Sequence, residues 1–394
     1  MKILFVCSSL EPGWDGVGDY TRLLAREMAR LGHICGIIAL NDSYVAERSE
    51  IGIESEWGKI PCLRLPAASS WTSRTRWSHH FRDHFAPDRI SFQIVPYGLD
   101  KRGLVNRALL TLSLLAVGCP AHLMFHELWA GGTGLAQTRR RLMGVIQRHG
   151  LKRMITVLQP RLVTTSNPVF AAMLQSIGTN AALLPLFGNV PVASSPSSLE
   201  FPSQLTEAGV PADGLSRNIW WLALFFGTIH PEWKPEPFSG ILRRAARRGG
   251  KRVALLQAGR IGTAGDAIWE KLRREYRSDF VLIRFGEQPV NTLSHLLQIA
   301  DFGIAASPWH LIGKSGTVAA MLDHGLPVIV TRDDFQPRFP IGNCPDPDPL
   351  LHRCDDALEA KLLAGLKKQP PRARVGDVAA QLCRKFHSLS QRQP

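Results

Sequence analysis

The sequence predicts an α/β protein made of two doubly wound, parallel-sheet domains. Three observations carry this. The strand-like runs are continuously apolar rather than alternating, which marks strands covered on both faces. Segments of helical periodicity separate one run from the next. The whole series occurs twice, on either side of a Pro- and Ser-rich stretch without periodicity at 191–217. With 394 residues, the chain has the length for two domains, each with its own core.

Taken in order, Ile3 to Cys7 is the first strand, followed by a glycine-bearing loop at 13–19. Tyr20 to Leu31 reads as a helix with Leu23, Leu24, Met28 and Leu31 on one face, and Gly32 sits where a helix-ending glycine belongs. Ile34 to Leu40 is the second strand, closing a βαβ unit. Helices at 74–85, 105–117, 137–153 and 168–177 alternate with strands at 89–95, 121–126, 161–166 and 181–187. Beyond the linker, strands at 219–226, 252–258, 280–285, 302–306 and 326–330 alternate with helices at 237–248, 266–276, 292–299 and 317–322. Two last helices, at 355–367 and 375–389, end the chain. The domain bounds read from this are 1–190, a linker at 191–217, and 218–374, with a C-terminal helix at 375–394.

The stretch from Ser307 to Asp334 holds the clearest chemical signal. Its loop Gly313-Lys314-Ser315-Gly316 opens a short apolar helix beginning at Thr317. A helix start leaves backbone N–H groups unpaired and carries partial positive charge, so it suits an anion. Lys314 adds a full charge, and Ser315 and Thr317 add hydroxyl donors. The plainer reading is a tight turn with a capping serine and a solvated lysine. It is not a Walker loop, because no glycine stands where that motif begins, near His310. In open α/β sheets ligands bind outside the carboxyl ends of the strands, and the loops at 13–19, 126–134, 227–236, 286–290 and 307–317 all fall there.

A net charge of +14 favours phosphate-bearing partners: nucleotides, nucleic acid or an anionic membrane surface. No nucleic-acid fold signature accompanies the charge. Seven scattered cysteines, without a C-x-x-C pair, suit reduced thiols in a cytosol and give no metal framework. The longest apolar run, Ala108 to Ala121, is interrupted by Pro120 and is too short to span a bilayer. Arg139, Arg140, Arg141, Arg148, Lys152 and Arg153 share one helix with Leu142, Val145 and Ile146; the helix either lies on anionic lipid or is a solvated face. Asp333-Asp334 reads as a solvated turn, and no metal site is expected.

The order of several motifs resembles the GT-B glycosyltransferases, specifically the retaining family four. PGWDGVGDYTRLLAREMARLGH is similar to that family's opening glycine loop and first helix, and LMFHELW to its strand ending in a histidine. LVTTSNPVFAAML, FFGTIHPEWKPE, ADFGIAASP and HGLPVIVTRDD follow in the family's order across about 330 residues. The resemblance implies a cleft between two Rossmann-like domains. It implies transfer of a sugar from a nucleotide-sugar donor to a hydroxyl acceptor, with retention, no metal and no separate cofactor. The acceptor is unidentified; the basic helix makes a lipid-linked one a candidate, and that helix with the cysteine usage gives the cytoplasm or the inner membrane face as the expected location.

Carried across residue by residue, Gly16 and Gly18 match the loop near the donor phosphates, and His126 the histidine near the transferred sugar. Lys234 matches the diphosphate lysine, and Glu287 and Gln288 the positions beside the base. Lys314, Ser315, Gly316 and Thr317 complete the donor set. Asp15 stands either as acceptor base or as a turn aspartate. Two departures stand out. Thr228 replaces the family's arginine, and Ile312 and Ala320 occupy the places of its two glutamates, with Asp323 near but out of helical phase. They open an alternative: a GT-B-shaped protein that binds a nucleotide or glycan, or scaffolds a partner, without turnover.

Overall fold

A computed structural model describes residues 1–131, 138–193, 202–212, 217–338, 340–341 and 346–390, with backbone alone at 138–140 and 389–390. Gln137 and, within the stretch at 191–217, residues 194–201 and 213–216 lie outside the described residues. The chain divides into two compact units. The first comprises Met1–Leu186, Gln336–Cys344 and Val375–Pro394; the second comprises Phe187–Phe335 and Pro345–Arg374. The division therefore falls earlier than residue 190, and the C-terminal helix belongs with the first unit.

The sheet of the first unit uses β1 (Lys2–Cys7), β2 (Ile34–Asp42), β3 (Ser49–Ile53), β4 (Ile60–Pro66), β5 (Arg89–Ile94), β6 (Ala121–Phe125), β7 (Leu162–Thr165) and β8 (Ala182–Leu183). Their spatial order is β3-β4-β2-β1-β5-β6-β7-β8. All neighbours are parallel except β3, which pairs antiparallel with β4 at one edge. The order reverses between β1 and β5, the switch point where ligands gather in such folds. Right-handed crossovers put helices Trp71–Phe85, Leu109–Ala116 and Thr138–Leu158 on one face. Helix Gly16–Arg30 packs with Val375–Ser390 on the other face, where Phe386 is 1 % exposed.

The second sheet uses β9 (Trp220–Phe226), β10 (Arg252–Ala258), β11 (Phe280–Gly286), β12 (Phe302–Pro308), β13 (Val328–Arg332) and β14 (Leu351–Arg353). It is parallel throughout, in the order β11-β10-β9-β12-β13-β14, the dinucleotide-fold order with its switch point between β9 and β12. Alternate residues feed two separate cores. Ala223, Phe225, Val253, Leu255 and Ile304 point to one, and Leu222, Leu224, Ala254, Leu256 and Ala305 to the other. Both faces are thus covered, which is why the strands read as unbroken apolar runs.

Several elements differ from the sequence reading. The first helix begins at Gly16 rather than Tyr20, because Asp15 caps it. The segment at 105–117 is a 3-10 turn, Val105–Arg107, followed by Leu109–Ala116. The helix expected at 137–153 runs on to Leu158. The helix expected at 355–367 is only Leu358–Ala364, stopped by Gly365 at φ +84°. Strands β3, β4 and β14 were not anticipated.

Candidate active site residues

In the second unit the switch point is built from glycines. Gly227, directly after β9, has φ +78°, and a Cβ there would stand 2.8 Å from the Thr317 methyl. The loop therefore passes close against the start of helix Gly316–Asp323, a passage open only to glycine. Gly259, directly after β10, and Gly286, the last residue of β11, also have positive φ and join through a bond from Gly259 N–H to the Gly286 carbonyl, 2.6 Å.

Ser315 is the N-cap of this helix: its Oγ accepts from Val318 N–H at 3.4 Å and lies 3.0 Å from Thr317 Oγ1. The N–H groups of Gly316 and Thr317 have no acceptor among the described residues, as expected at a helix start. Gly316 itself is exposed. Lys314 ends the preceding 3-10 turn, Trp309–Lys314. Its charge reaches His230, whose pKa is held below the ordinary range chiefly by burial, then by Arg332, with Lys314 adding to both.

Arg332, at the end of β13, was not singled out from the sequence. Its guanidinium is nearly buried. It donates to Asp334 through Nε (3.0 Å) and Nη2 (2.7 Å), to Glu232 through Nη2 (2.9 Å), and lies 2.8 Å from His230 Nδ1. It thereby ties the loop after β9 to the loop after β13. The signal available was an arginine ending a buried strand and followed by two acids. Asp334 is accordingly held below the usual carboxylate range by Arg332.

The other donor-site expectations separate. Lys234 is exposed and makes no hydrogen bond or ion pair among the described residues. Glu287 pairs with Arg260 at 3.0 Å, and Gln288 turns back to donate to the Phe285 carbonyl at 2.8 Å. Ile312 packs against the second core, and Ala320 is fully buried with the Gly188 backbone pressed on it. Asp323 is a buried clamp. It accepts from the N–H groups of Gly188 (2.9 Å) and Arg374 (3.3 Å), and burial raises its pKa.

In the first unit, Asp15 Oδ1 accepts from Val17 N–H and Gly18 N–H, both at 2.9 Å. It is a cap, so the turn reading accounts for it, and burial raises its pKa. Asp19 accepts from Gly13 N–H at 3.1 Å and pairs with Arg22. Gly18 is a packing glycine: a Cβ would stand 2.5 Å from the Ser9 carbonyl oxygen. Gly16 is exposed with open space beside it. Glu127 follows the end of β6.

His126 sits just past β6, 7 % exposed, with the Tyr20 ring edge-on at 4.9 Å. It heads a buried chain of side chains crossing three strands. His126 Nε2 lies 2.9 Å from Gln93 Oε1, and Gln93 Nε2 donates to Ser91 Oγ at 2.8 Å. Ser91 Oγ lies 2.9 Å from His122 Nδ1, His122 Nε2 lies 2.8 Å from Thr164 Oγ1, and Thr164 donates to Met124 Sδ at 3.0 Å. Every member is satisfied, which is what a buried polar network requires. Burial pushes both histidines down to about 3, so both are neutral at pH 7. The signal available was polar residues in or beside otherwise apolar strands: Ser91 and Gln93, two apart in β5, and His122 and His126, four apart in and just past β6.

Among the described residues no three His, Cys, Asp or Glu side chains gather as a metal-ligand set. No helix there is long and apolar enough to cross a membrane. The six described cysteines are unpaired thiols.

No protein-family model matches the chain, and no curated protein matches it in sequence. Solved structures do match. The catalytic domain of starch synthase IV from Arabidopsis thaliana, bound to ADP and acarbose, aligns over all of both chains with TM-score 0.54 and 11% identity. UDP-GlcNAc 2-epimerase from Neisseria meningitidis, bound to UDP-GlcNAc, aligns over 98% of this chain and 100% of its own, with TM-score 0.53 and 11% identity. An α,α-trehalose-phosphate synthase (UDP-forming) from Burkholderia xenovorans, in complex with glucose-6-phosphate, aligns over 98% and 96%, with TM-score 0.51 and 12% identity. The fold is GT-B. Identities this low carry the architecture of the two Rossmann-like units, and a GT-B fold serves transferases and epimerases alike.

Proposed function

We propose that this GT-B protein is a glycosyltransferase that moves a sugar from a nucleotide-sugar donor to a hydroxyl acceptor. The observation that carries the reading is the helix start at the second switch point. Two N–H groups without an acceptor among the described residues and two hydroxyls lie beside a glycine loop there, and Lys314 ends the turn that leads into them. That is the chemistry of a diphosphate cradle: oriented dipoles plus one full charge. In this assignment Lys314, Ser315, Gly316 and Thr317 hold the diphosphate. Exposed Lys234 joins them, and Glu287 and Gln288 lie toward the base. His126 accepts from a hydroxyl of the transferred sugar. Asp15 is left out of the catalytic set because its carboxylate caps a helix.

Retention follows if the leaving diphosphate oxygen takes the acceptor's proton on the face it departs from. The sugar–phosphate bond breaks, the sugar–acceptor bond forms on the same side, and the proton ends on the phosphate. The protein's part is to stabilise the departing charge with Lys314 and the helix start, without recruiting a metal. The test is incubation with UDP-, GDP-, ADP- and dTDP-sugars and a panel of hydroxyl acceptors, with NMR of the anomeric product. Retained configuration is expected, and an inverted product contradicts the mechanism.

A second reading rests on one observation. Ile312 packs against the core and Ala320 lies inside it, so no carboxylate stands at either place. A protein that binds nucleotide-sugars but neither transfers nor hydrolyses them would fit this non-catalytic reading instead.

A further inference from the structure

Helices Trp71–Phe85, Leu109–Ala116 and Thr138–Leu158 lie side by side on one face of the first sheet. Their composition is lopsided. The helix at 138–158 has Arg139, Arg140, Arg141, Arg148, Lys152 and Arg153 and no acid, and Leu109–Ala116 has no acid either. Asp83 is the one acid of Trp71–Phe85, and it is engaged by His79 at 2.8 Å and Arg82 at 2.9 Å.

The outward side of this layer is unusually apolar as well as basic. Sixteen large hydrophobics are exposed among the described residues, and six of them are here: Leu110, Val117, Leu142, Val145, Ile146 and Val157. Leu142, Val145 and Leu110 are each more than 60 % exposed. At 100° per residue, Leu142, Ile146, Val145 and Val157 share the outward arc of the long helix with Arg153. Arg141, Arg148 and Lys152 line one edge of that arc. The inward arc is complete without them: Gln147, Leu151, Met154 and Leu158 are buried. The exposed aliphatics are therefore surplus to the core. Between the first two helices a cavity of about 440 Å³ continues the pattern, with Trp71, Leu110 and Leu114 in its wall and Arg76 and Arg107 among its cations.

We propose that this helical face docks on an anionic lipid bilayer, with the long helix lying in the plane of the interface. Charge complementarity selects the occupant: cations on an edge meet lipid headgroups, while the aliphatic arc enters the acyl boundary. A nucleic acid would use the cations but leave Leu142, Val145 and Ile146 in water, since single strands are held by aromatic stacking. The proposal is independent of sugar transfer, because the face contains none of the residues assigned to donor binding.

The test is flotation of the full chain with vesicles of phosphatidylcholine alone and of phosphatidylcholine mixed with phosphatidylglycerol. Recovery on the mixed vesicles only is expected, weakening as salt rises. Lys152→Glu/Arg153→Glu should lower the bound fraction about tenfold or more, given the roughly additive effect of each charge near the surface. Leu142→Glu/Ile146→Glu should do the same, and Ile219→Glu, an exposed aliphatic of the other unit, should not. Thermal unfolding of all variants checks that folding is kept. Equal recovery on both vesicle types, none on either, wild-type recovery of both double variants, or binding to a single-stranded oligonucleotide without vesicle binding overturns the proposal.

Discussion

Gln93 Oε1 lies 2.9 Å from His126 Nε2, and an amide oxygen can only accept. The imidazole must therefore donate from Nε2, leaving Nδ1 as its lone-pair nitrogen. The direction is enforced down the chain, because Gln93 donates onward to Ser91 and the last donor, Thr164, ends at the Met124 sulfur. His126 is thus fixed as a neutral acceptor, suited to receive a hydroxyl proton from a ligand.

Gln93→Glu tests that relationship. A carboxylate beside Nε2 stabilises the imidazolium, so the pKa of His126 should rise from about 3 by roughly 1–3 units. Histidine nitrogen NMR should then detect Nδ1 protonation at a higher pH than in the wild type, and where Nδ1 is protonated turnover should fall about tenfold or more, the worth of one hydrogen bond of roughly 1.4 kcal/mol. Nucleotide affinity should stay within about twofold. A His126 whose Nδ1 takes its proton at the same pH as in the wild type would show that position 93 does not set its state.

Lys314→Ala should weaken nucleotide diphosphate binding by roughly tenfold or more, since a charge-assisted hydrogen bond contributes about 1.5–3 kcal/mol. The fold should be kept, because Lys314 lies on the surface turn before the helix. Calorimetry with the nucleoside diphosphate alone reads this directly, and an unchanged affinity removes Lys314 from the cradle.

Ala320→Glu should not restore a carboxylate function. Ala320 is fully buried, with the Gly188 Cα so near that even a methyl added to that glycine would stand 2.7 Å from the Ala320 Cα. A glutamate there overpacks the core and buries a charge, with an expected cost above about 3 kcal/mol. Denaturant midpoints measure it. A stable Ala320→Glu protein would mean the helix can shift away from Gly188.

Stability should fall on mild acidification. His122 and His126 have folded pKa values of about 3, below their unfolded value near 6.5. The unfolded chain then binds more protons in that interval. Their contribution is complete above about pH 6.5 and is lost as pH falls toward 3, at about 1.4 kcal/mol per pH unit for each histidine. Denaturant unfolding between pH 7 and 5 should show the slope, and His126→Gln should lower it by about one proton.

The alternating architecture was legible because strands such as Ile3–Cys7 and Trp220–Phe226 are buried on both faces and need no polar side. Strand Ser49–Ile53 was not, since an edge strand with mixed exposure carries neither the continuous nor the alternating pattern. The helix start at Ser315 was readable from local chemistry, because capping is a matter of a few adjacent residues. The partners of Arg332 and the chain from His126 to Thr164 join positions as much as 102 residues apart, so their types were visible in the strands but their pairing was not. Asp15 shows the reverse case: a carboxylate in a glycine loop admitted both a turn and a catalytic reading, and the cap bonds to Val17 and Gly18 became visible only in the fold.

The central claim is that the start of helix Gly316–Asp323 holds a nucleotide diphosphate. Thermal unfolding of the purified chain with UDP, GDP, ADP and dTDP, alongside Lys314→Ala, tests it most directly. Binding to the native state stabilises it by about 2.7 kcal/mol when ligand stands at a hundred times its Kd. The account predicts a raised midpoint with at least one of the four, largely lost in Lys314→Ala. No shift with any of them, or an equal shift in the variant, would contradict it.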